Sequence, residues 1–513
     1  MNSRVKAAAA IVLALFAGIA GCAVGPDYRR PAVDAPAGFA AGSAPGPAAA
    51  AVPAATDQDL ATWWRALGDP ELDSLVERAI KANPDLEIAL TRLQQARTYE
   101  TVVLGYALPE ADASAAAGRG TGTDLMRGRA AQPLVSADNT SGLQHINTIA
   151  GFDAVWELDV FGKYRREIEA ARYDRQAAAA ARNGVLTSVV ADVVRAYIDL
   201  RGFQTQTAIL QKASEVLRES LRLVTIRYER GITNELDVTL AARELATLEA
   251  QIAPLKAQAS AAQYGLAVLL GEYPETLVQE LAELKPIPSM PGPVQPGVPV
   301  DLLKRRPDIQ QAERELAGAT ARIGVATANL FPQIALVGAI GVQGQGWGTT
   351  PVVKKHIWSF GPGAIWPLLD FGALDALADI ADLEAHARLI VYRQTILSAV
   401  QDVDTALSAY NAQQDRLQHL DEGMVAGQRA VELATERYDR GLTDFLNVVD
   451  AERQFYDLEE QYVTAQVAEG EQFVQLYKSF GGGWENYQDV PRIRRPQPAI
   501  IAAFRRLLSS APP

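Results

Sequence analysis

The chain has 513 residues, a formal net charge of −13 and a single cysteine. An acidic balance of this size argues against nucleic acid as the main partner, because binding to phosphates needs clustered lysine and arginine. One cysteine excludes a disulfide within the chain and a thiolate metal cluster. An apolar fraction of 48% is that of a folded protein, so global disorder is not expected.

The first predicted element is an export signal over residues 1–21. A short basic start precedes an apolar stretch, Ala7 to Ile19, that is too short for a membrane-spanning helix. The stretch ends in Ile-Ala-Gly-Cys, which resembles the bacterial lipoprotein cleavage box. We therefore predict a covalent lipid on Cys22, and the following Ala23 favours sorting to the outer membrane. The alternative is an ordinary export signal with a chance cysteine.

Five further segments follow the signal. Residues 22–56 are rich in alanine, proline and glycine and are predicted to form an extended linker between the lipid and the body. Two structural repeats, residues 57–285 and 299–484, are separated by a proline-rich linker over 286–298. The basic tail, residues 485–513, is predicted to be flexible.

The two repeats are recognised by matching sequence. Residues 227–251 and 437–461 agree at 12 of 25 positions at an offset of 210, and a Phe-Gly dipeptide recurs at the same offset. An earlier motif, NPDL in the first copy and RPDI in the second, recurs at an offset of 223. The difference of 13 residues predicts an insertion in the first copy, within a loop.

Each repeat is predicted to begin with short helices, such as Glu71 to Lys81, and to continue with two strands. The strands are expected at about 109–119 and 148–159 in the first copy and at about 332–344 and 355–369 in the second. Apolar residues alternate there with small or polar ones, which is the pattern of a strand with two different faces. Aromatic residues near the strand ends would suit a bilayer interface. A soluble two-stranded ribbon is the alternative.

Long helices are predicted after each Phe-Gly dipeptide, over 161–271 and 371–480. From Val189 to Tyr228, apolar residues recur at steps of three and four, which is the spacing of a coiled coil. Each helix is expected to turn at a glycine, Gly231 or Gly441, and to return as a second helix. Four polar residues are candidate helix caps: Asn83, Asp308, Asn234 and Asp444.

Four strands are too few to close a barrel, because the smallest common barrels have eight. An open sheet edge in lipid also leaves backbone groups without hydrogen bonds. If the strands lie in the membrane, three copies must share a barrel of twelve strands. The sequence therefore predicts a homotrimer with a ring of long helices.

The duplicated body resembles the outer membrane factor family, the TolC-like channels. The start CAVGPDYRRP, the segment WWRALGDPELDSLVERAIKANPDL and FGGGW at Phe480 resemble its NodT-type lipoprotein branch. The resemblance implies a mostly α fold with a shared membrane β-barrel and a trimeric α-barrel. It also implies an efflux channel in the cell outer membrane, docked to a periplasmic adaptor and an inner-membrane pump of the resistance-nodulation-division type. The channel itself needs no cofactor.

In this family the RYxxG turns form the periplasmic tip, which closes like an iris. A leucine matching Leu446 constricts the pore there, and an aspartate matching Asp450 forms an acidic ring. Asn447 stands where some family members have a second aspartate, which departs from a double acidic ring. Leu240 stands in the first copy where Asp450 stands in the second, so the two copies are not equivalent at the tip. The alternative assigns Tyr228 and Tyr438 to helix packing and Arg453 to a surface ion pair. The resemblance implies these gate residues: Tyr438, Arg440, Gly441, Leu446, Asp450, Arg453, Tyr228, Arg230, Gly231, Leu236, Asp237 and Arg243.

Other functions find little support in the sequence. The four histidines have no metal-ligand spacing, and the glycine-rich stretch 338–348 lacks the ending of a phosphate loop. No nucleophile–base pair is visible, so no catalytic residue is expected. Two alternatives stay open: the outer channel of a type I protein-secretion system, and a structural periplasmic coiled-coil or adaptor lipoprotein.

Overall fold

The structure is a computed structural model. It describes residues 23–32, 36, 38–40, 60–119, 145–291, 304–347 and 350–488. The predicted export signal, the predicted lipidation site Cys22 and most of the basic tail lie outside these residues.

The described chain follows the predicted order of helices and strands in each repeat. In the first repeat these elements are α1 Pro70–Ala82, α2 Pro84–Tyr106, β1 Glu110–Arg119, β2 His145–Leu158, α3 Lys163–Glu229, α4 Glu235–Leu269 and α5 Pro274–Glu280. In the second repeat they are α6 Pro307–Ala328, β3 Gln333–Trp347, β4 Thr350–Ile365, α7 Ala373–Asp439 and α8 Phe445–Phe480. Helices α3 and α7 have 67 residues each, about 100 Å at the rise of an α-helix.

The chain divides into two compact units, and each unit takes residues from both repeats. The sheet unit comprises Met1–Ala32, Gln95–Ala178 and Gln311–Arg393. The tip unit comprises Val33–Gln94, Ala179–Gln310 and Gln394–Pro513. The four strands lie in the former, and the two turns between long helices lie in the latter.

One antiparallel sheet contains the four strands in the order β1-β2-β3-β4. The strands of the first copy were predicted to within a few residues. Strand β4 begins at Thr350 and ends at Ile365, several residues before the predicted bounds at both ends. The register places Phe152 opposite Ile340, and Ile340 opposite Trp358, so three neighbouring strands align their large apolar side chains.

Equivalent contacts in the two copies make the duplication visible in the sheet unit. The indole nitrogen of Trp156 donates to the carbonyl oxygen of Ala107 at 3.1 Å, and that of Trp366 donates to Leu330 at 3.0 Å. The copies differ in the link between their strands. Residues 120–144 separate β1 from β2, whereas residues 348–349 separate β3 from β4. The extra residues of the first copy therefore fall between its strands, as predicted.

The beginnings of α2 and α6 show one correct prediction and one error. Asn83 precedes α2, and its side-chain oxygen accepts a hydrogen bond from the Leu86 amide at 3.0 Å. Asp308 does not cap α6, because the helix already begins at Pro307. The Asp308 carboxylate instead binds the Arg306 guanidinium at 2.7 Å and the Ile309 amide at 2.8 Å. Proline fixes the first helical residue and moves the cap position to Arg306.

Residues 23–30, at the start of the predicted extended linker 22–56, are bound to the sheet unit. They have no regular secondary structure, but the Val24 amide donates to the Phe161 carbonyl at 3.1 Å. The buried Arg166 guanidinium donates to the carbonyl oxygens of Val24 and Gly25 at 3.2 and 3.1 Å. Gly25 has φ +86, and a Cβ there would lie 2.4 Å from the Gly324 Cα atom. Glycine is therefore required where this segment crosses α6.

A buried polar cluster fixes α1 in the tip unit. The Arg201 side chain is fully buried on α3 and donates to Glu71 and to the Glu283 carbonyl oxygen. The Tyr197 hydroxyl donates to Asp69 at 2.6 Å. Burial of a guanidinium is tolerated because carboxylate and carbonyl oxygens bind it.

Among the described residues, α3 has the length and composition of a membrane span. In that stretch 56% of residues are buried within the chain, and core helices of soluble proteins meet the same criteria. The finding is therefore weak evidence for a helical span.

Candidate functional site: the two helix turns

Two glycine turns connect the long helices, and their backbones have the same conformation. Gly231 and Gly441 both have φ +72. In the first turn the Ile232 amide donates to the Arg227 carbonyl at 2.9 Å, and in the second the Leu442 amide donates to Arg437 at 2.9 Å. Both are helix ends of the Schellman type, in which glycine accepts the left-handed conformation without a steric penalty.

The beginnings of the return helices differ between the copies. Asn234 caps α4 as predicted, because its side-chain oxygen accepts a hydrogen bond from the Asp237 amide at 3.1 Å. Asp444 occupies the equivalent position before α8 but makes no side-chain capping hydrogen bond. Phe445, the next residue, is buried with 3% of its surface exposed. Its counterpart in the first copy at the repeat offset is the exposed Glu235.

An apolar cluster, which we call the tip cluster, joins the two turns. Phe445, Val448 and Val449 of α8 pack with Val224 of α3 and Ala241 of α4. Four partly buried residues pack against this cluster: Leu221, Val238, Ala434 and Tyr438. The tip is therefore held chiefly by apolar burial, which contributes about 25 cal/mol for each Å² removed from water.

Tyr438 is the predicted gate residue with the most contacts. Its ring packs on Phe445 with the centroids 5.3 Å apart, and the Arg227 guanidinium lies 4.5 Å from its centroid. Burial raises the pKa of the Tyr438 hydroxyl. No described residue accepts or donates a hydrogen bond at this buried hydroxyl. Tyr438 thus packs between helices within the chain, on Phe445 and beneath Arg227.

Tyr228 is more exposed than Tyr438, so the two copies of the same motif differ in environment. Leu236 and Leu446, the leucines that follow the turns, are 62% and 54% exposed. Exposed leucines on a single chain are available for contact with other molecules or with other copies of the chain.

The charged candidates of the second turn form local pairs. Arg453 donates to the Asp450 carboxylate at 2.8 Å, one helical turn apart, and Gln454 donates to the same carboxylate at 2.7 Å. Arg440, which follows α7 directly, pairs with Glu436 of that helix. The predicted ion pair between Asp450 and Arg453 is therefore present, on an exposed face of α8.

The charged candidates of the first turn are arranged differently. Asp237 accepts a hydrogen bond from the Thr233 hydroxyl, so it stabilises the start of α4. Arg243 lies 3.7 Å from Glu244, and Arg230 is exposed. The copies therefore share their backbone but not their side-chain contacts.

Three residues of the tip were missed by the sequence analysis: Phe445, Arg227 and Glu452. Arg227 opens the RYxxG motif and could have been found by including the whole motif. Phe445 and Glu452 are buried by the other repeat, and a pattern read along one helix contains no signal of that contact.

Comparison with known proteins agrees with this architecture. The sequence model of the family described as Outer membrane efflux protein matches residues 75–272 and 298–482. Nodulation protein T of Rhizobium leguminosarum bv. trifolii is 31% identical over 437 residues, which cover 85% of this chain and 89% of that protein. The pyoverdine export outer membrane protein OpmQ of Pseudomonas aeruginosa is 30% identical over 437 residues, 83% of this chain and 88% of that protein.

A solved structure of the outer-membrane channel OprN is similar to this fold. Its TM-score is 0.78 at 34% identity, and the match covers 91% of this chain and 100% of that chain. Long helices joined to a small β domain thus define the class of outer-membrane channel proteins. The chain belongs to the outer membrane efflux protein family. It is an efflux channel protein of the outer membrane, as the sequence predicted.

Proposed function

We propose that three copies of the chain form one continuous export channel, with a shared twelve-stranded barrel in the outer membrane and a helical tube in the periplasm. The channel receives small molecules from an inner-membrane pump of the resistance-nodulation-division type through a periplasmic adaptor. The lipid predicted on Cys22 anchors each copy. The turns between the long helices form the gate.

The outer edges of the sheet, unpaired within the described chain, are the main observation that supports this proposal. Among the described residues, β1 pairs only with β2 and β4 pairs only with β3. Each outer edge presents a row of backbone groups, and such an edge cannot stay unpaired in lipid. Pairing β1 of one copy with β4 of the next would close a ring. Three copies of a four-stranded sheet supply enough strands for a barrel with an open interior.

The outward face of the sheet supports a membrane location. Phe152, Ile340, Trp358 and Phe360 are large apolar side chains that are all exposed on the single chain. Exposure of this much apolar surface to water is unfavourable, whereas its contact with lipid chains is not. Aromatic residues at strand ends are typical of the bilayer interface.

An apolar stripe on α7 supports assembly in the periplasmic part. Leu377, Ile380, Leu383 and Ile390 are exposed and recur at helical spacing along one side of the helix. A second copy of the chain would cover such a stripe, as apolar positions at this spacing do in helical assemblies.

The gate residues are proposed from the family resemblance together with the geometry of the second turn. Leu446 is exposed as the second residue of α8, and Asp450 lies one turn further along the helix. In a trimer, three leucines would narrow the channel and three aspartates would form an acidic ring. At roughly 8 Å separation, two carboxylates repel by about 2 kcal/mol at an effective dielectric of 20, so packing rather than charge holds the tip closed.

Mass and conductance test the channel proposal. Detergent-extracted protein is expected to have the mass of a trimer and to conduct ions in planar bilayers. Replacing Ile380 and Leu383 together by glutamine is expected to reduce the trimer fraction. The matched control replaces the exposed neighbours Asp379 and Asp382 by glutamine and is expected to leave the trimer intact. Monomeric wild-type protein that never conducts would overturn the proposal.

A further inference from the structure

A buried acidic residue, Glu452, and a partly buried one, Glu244, lie on the return helices of the two repeats in the tip unit. Glu452 of α8 follows Val449 of the tip cluster and precedes Tyr456, which packs against a second apolar cluster. Glu244 of α4 lies about one turn after Ala241 of the tip cluster and about one turn before Leu248 of the second cluster. The Glu244–Glu452 pair therefore interrupts an otherwise apolar packing of α4 on α8.

Glu452 is deeply buried and incompletely bonded. Its residue surface is 6% exposed, and its Oε2 atom finds no hydrogen-bond partner among the described residues. Burial, and then the charge of Glu244, raise the pKa of Glu452 to about 7. An ionised carboxylate in this place lacks compensation, because a buried charge needs a counter-charge or several donors.

Charged groups near the Glu244–Glu452 pair are themselves paired, Arg243 with Glu244 and the others outside the pair. Arg243 of α4 lies near Glu244 at 3.7 Å, and on α8 Arg453 is bound to Asp450. The neighbouring helices contribute further charged groups, among them Arg218 of α3 with Glu249 of α4, Arg429 of α7 with Glu432, and Lys212 of α3, which acts on Glu459 of α8. His419 of α7 is exposed beside Glu422. Burial, and then Glu452, raise the pKa of Tyr456.

We propose that the Glu244–Glu452 pair is a proton-dependent contact that keeps α4 packed on α8 while Glu452 is protonated and weakens that packing when the proton leaves. The proposal rests on the gate function assigned above to the helix turns. It differs from the acidic ring of Asp450, because Glu452 lies inside the packing rather than on the exposed face.

The direction of the pH effect follows from linkage. A carboxyl whose pKa is raised in the packed tip binds its proton more tightly there than in a loosened tip. The packed state is therefore favoured at low pH and loses this advantage as the pH rises through about 7. If the loosened state restores an ordinary carboxyl pKa, the open-to-closed ratio rises about tenfold per subunit between about pH 6 and about pH 8.

Single-channel recording of the full-length channel in planar bilayers tests the contact. Wild-type dwell times are expected to show the rise in open-to-closed ratio over that pH interval. Glu452→Gln, which resembles the protonated side chain in size and charge, is expected to stay mostly closed and nearly independent of pH. Two control variants are expected to keep the wild-type pH response: Glu460→Gln on the exposed face of α8 and His419→Gln on α7.

A second variant keeps the test decisive if Glu452→Gln fails to assemble. Glu244→Gln removes one of the two causes that raise the pKa of Glu452, so the midpoint of the pH response is expected at lower pH. An unshifted midpoint, a Glu452→Gln channel with the wild-type response, or a Glu460→Gln channel without it would each overturn the proposal.

Hydrogen exchange separates this proposal from the channel function. At one alkaline pH, the amides of Val448 and Val449 are expected to exchange more slowly in Glu452→Gln than in the wild type, whether or not the protein conducts. A conducting trimer without this difference would reject the proton-dependent contact alone. A protein that shows the difference but neither forms a trimer nor conducts would reject the channel proposal.

Discussion

The turn at Gly231 and the turn at Gly441 have one backbone and two sets of side-chain contacts. Both glycines have φ +72, and both preceding helices end with the same pair of backbone hydrogen bonds. Beyond the glycines the turns differ. The first continues with the capping Asn234 and the exposed Glu235, whereas the second continues with Asp444, which does not cap, and the buried Phe445.

The difference shows which parts of a duplicated motif are retained and which specialise. The glycine and the helix end before it fix the path of the backbone in both copies. The residues after the glycine decide whether the turn stays exposed or is inserted, with a buried side chain in the apolar packing. The second turn is inserted, so substitutions there should have the larger effects.

The largest expected effect is that of Phe445→Ala. Removing a buried phenylalanine leaves a cavity in the tip cluster and is expected to cost about 3 kcal/mol of local stability. Hydrogen exchange of the amides of α8 within the assembled protein measures this cost. The matched change in the first turn, Glu235→Ala, is expected to alter exchange little. Equal effects of the two variants would contradict the inserted position of the second turn.

Substitution of the two glycines tests whether the backbones of the two turns are equivalent. Gly231→Ala and Gly441→Ala each force alanine into the left-handed conformation, at an expected cost of about 1 kcal/mol. Neither Cβ atom would meet another atom within 4 Å, so the cost is that of the backbone alone. Local hydrogen exchange is therefore expected to change equally in both turns. A clearly larger change at one turn would show that their backbones are not equivalent.

The caps should give a smaller and unequal effect. Asn234→Ala removes the hydrogen bond to the Asp237 amide and is expected to cost about 1 kcal/mol at the start of α4. Asp444→Ala removes only a negative charge near a helix N-terminus, which is worth roughly 0.3 kcal/mol when exposed. Exchange rates of the first-turn amides of α4 and α8 compare the two. A larger loss at Asp444 would mean that its side chain caps α8 in solution.

The smallest effect on stability is expected from the exposed pair of Asp450 and Arg453. Surface ion pairs of this kind contribute about 0.5 kcal/mol, so Asp450→Ala and Arg453→Ala should fold and assemble normally. Their effect should instead appear in permeability to large antibiotics and in drug susceptibility. Leu240→Ala, at the position that matches Asp450 in the first copy, is the control. Unchanged permeability of both α8 variants would remove these residues from the gate.

Much of this fold is predictable from local patterns. The bounds of α3 and α7 follow from the absence of proline and from the glycine turns, because helices continue until a residue stops them. The alternation of apolar residues located the strands, and the insertion in the first copy follows from the shift between repeat offsets. The prediction of Asp308 as a helix cap was wrong because Pro307 already begins the helix.

The contacts between repeats were not predictable in this way. Periodicity along α8 does not reveal which residues of α4 oppose it, so the burial of Phe445 and of the Glu244–Glu452 pair was missed. Residues 23–30 likewise carry no period, and their docking depends on glycines far away in the chain, Gly162 and Gly324. These contacts belong to the tertiary structure, and a single sequence contains little signal of them.

That docking has a consequence for the order of folding. Residues 23–30 contact Phe161 and Arg166 of the first repeat and Gly324 of the second. The segment precedes the body in the chain, yet the surface that binds it includes Gly324, about 300 residues later. The segment therefore becomes fixed only when both repeats of the body have folded.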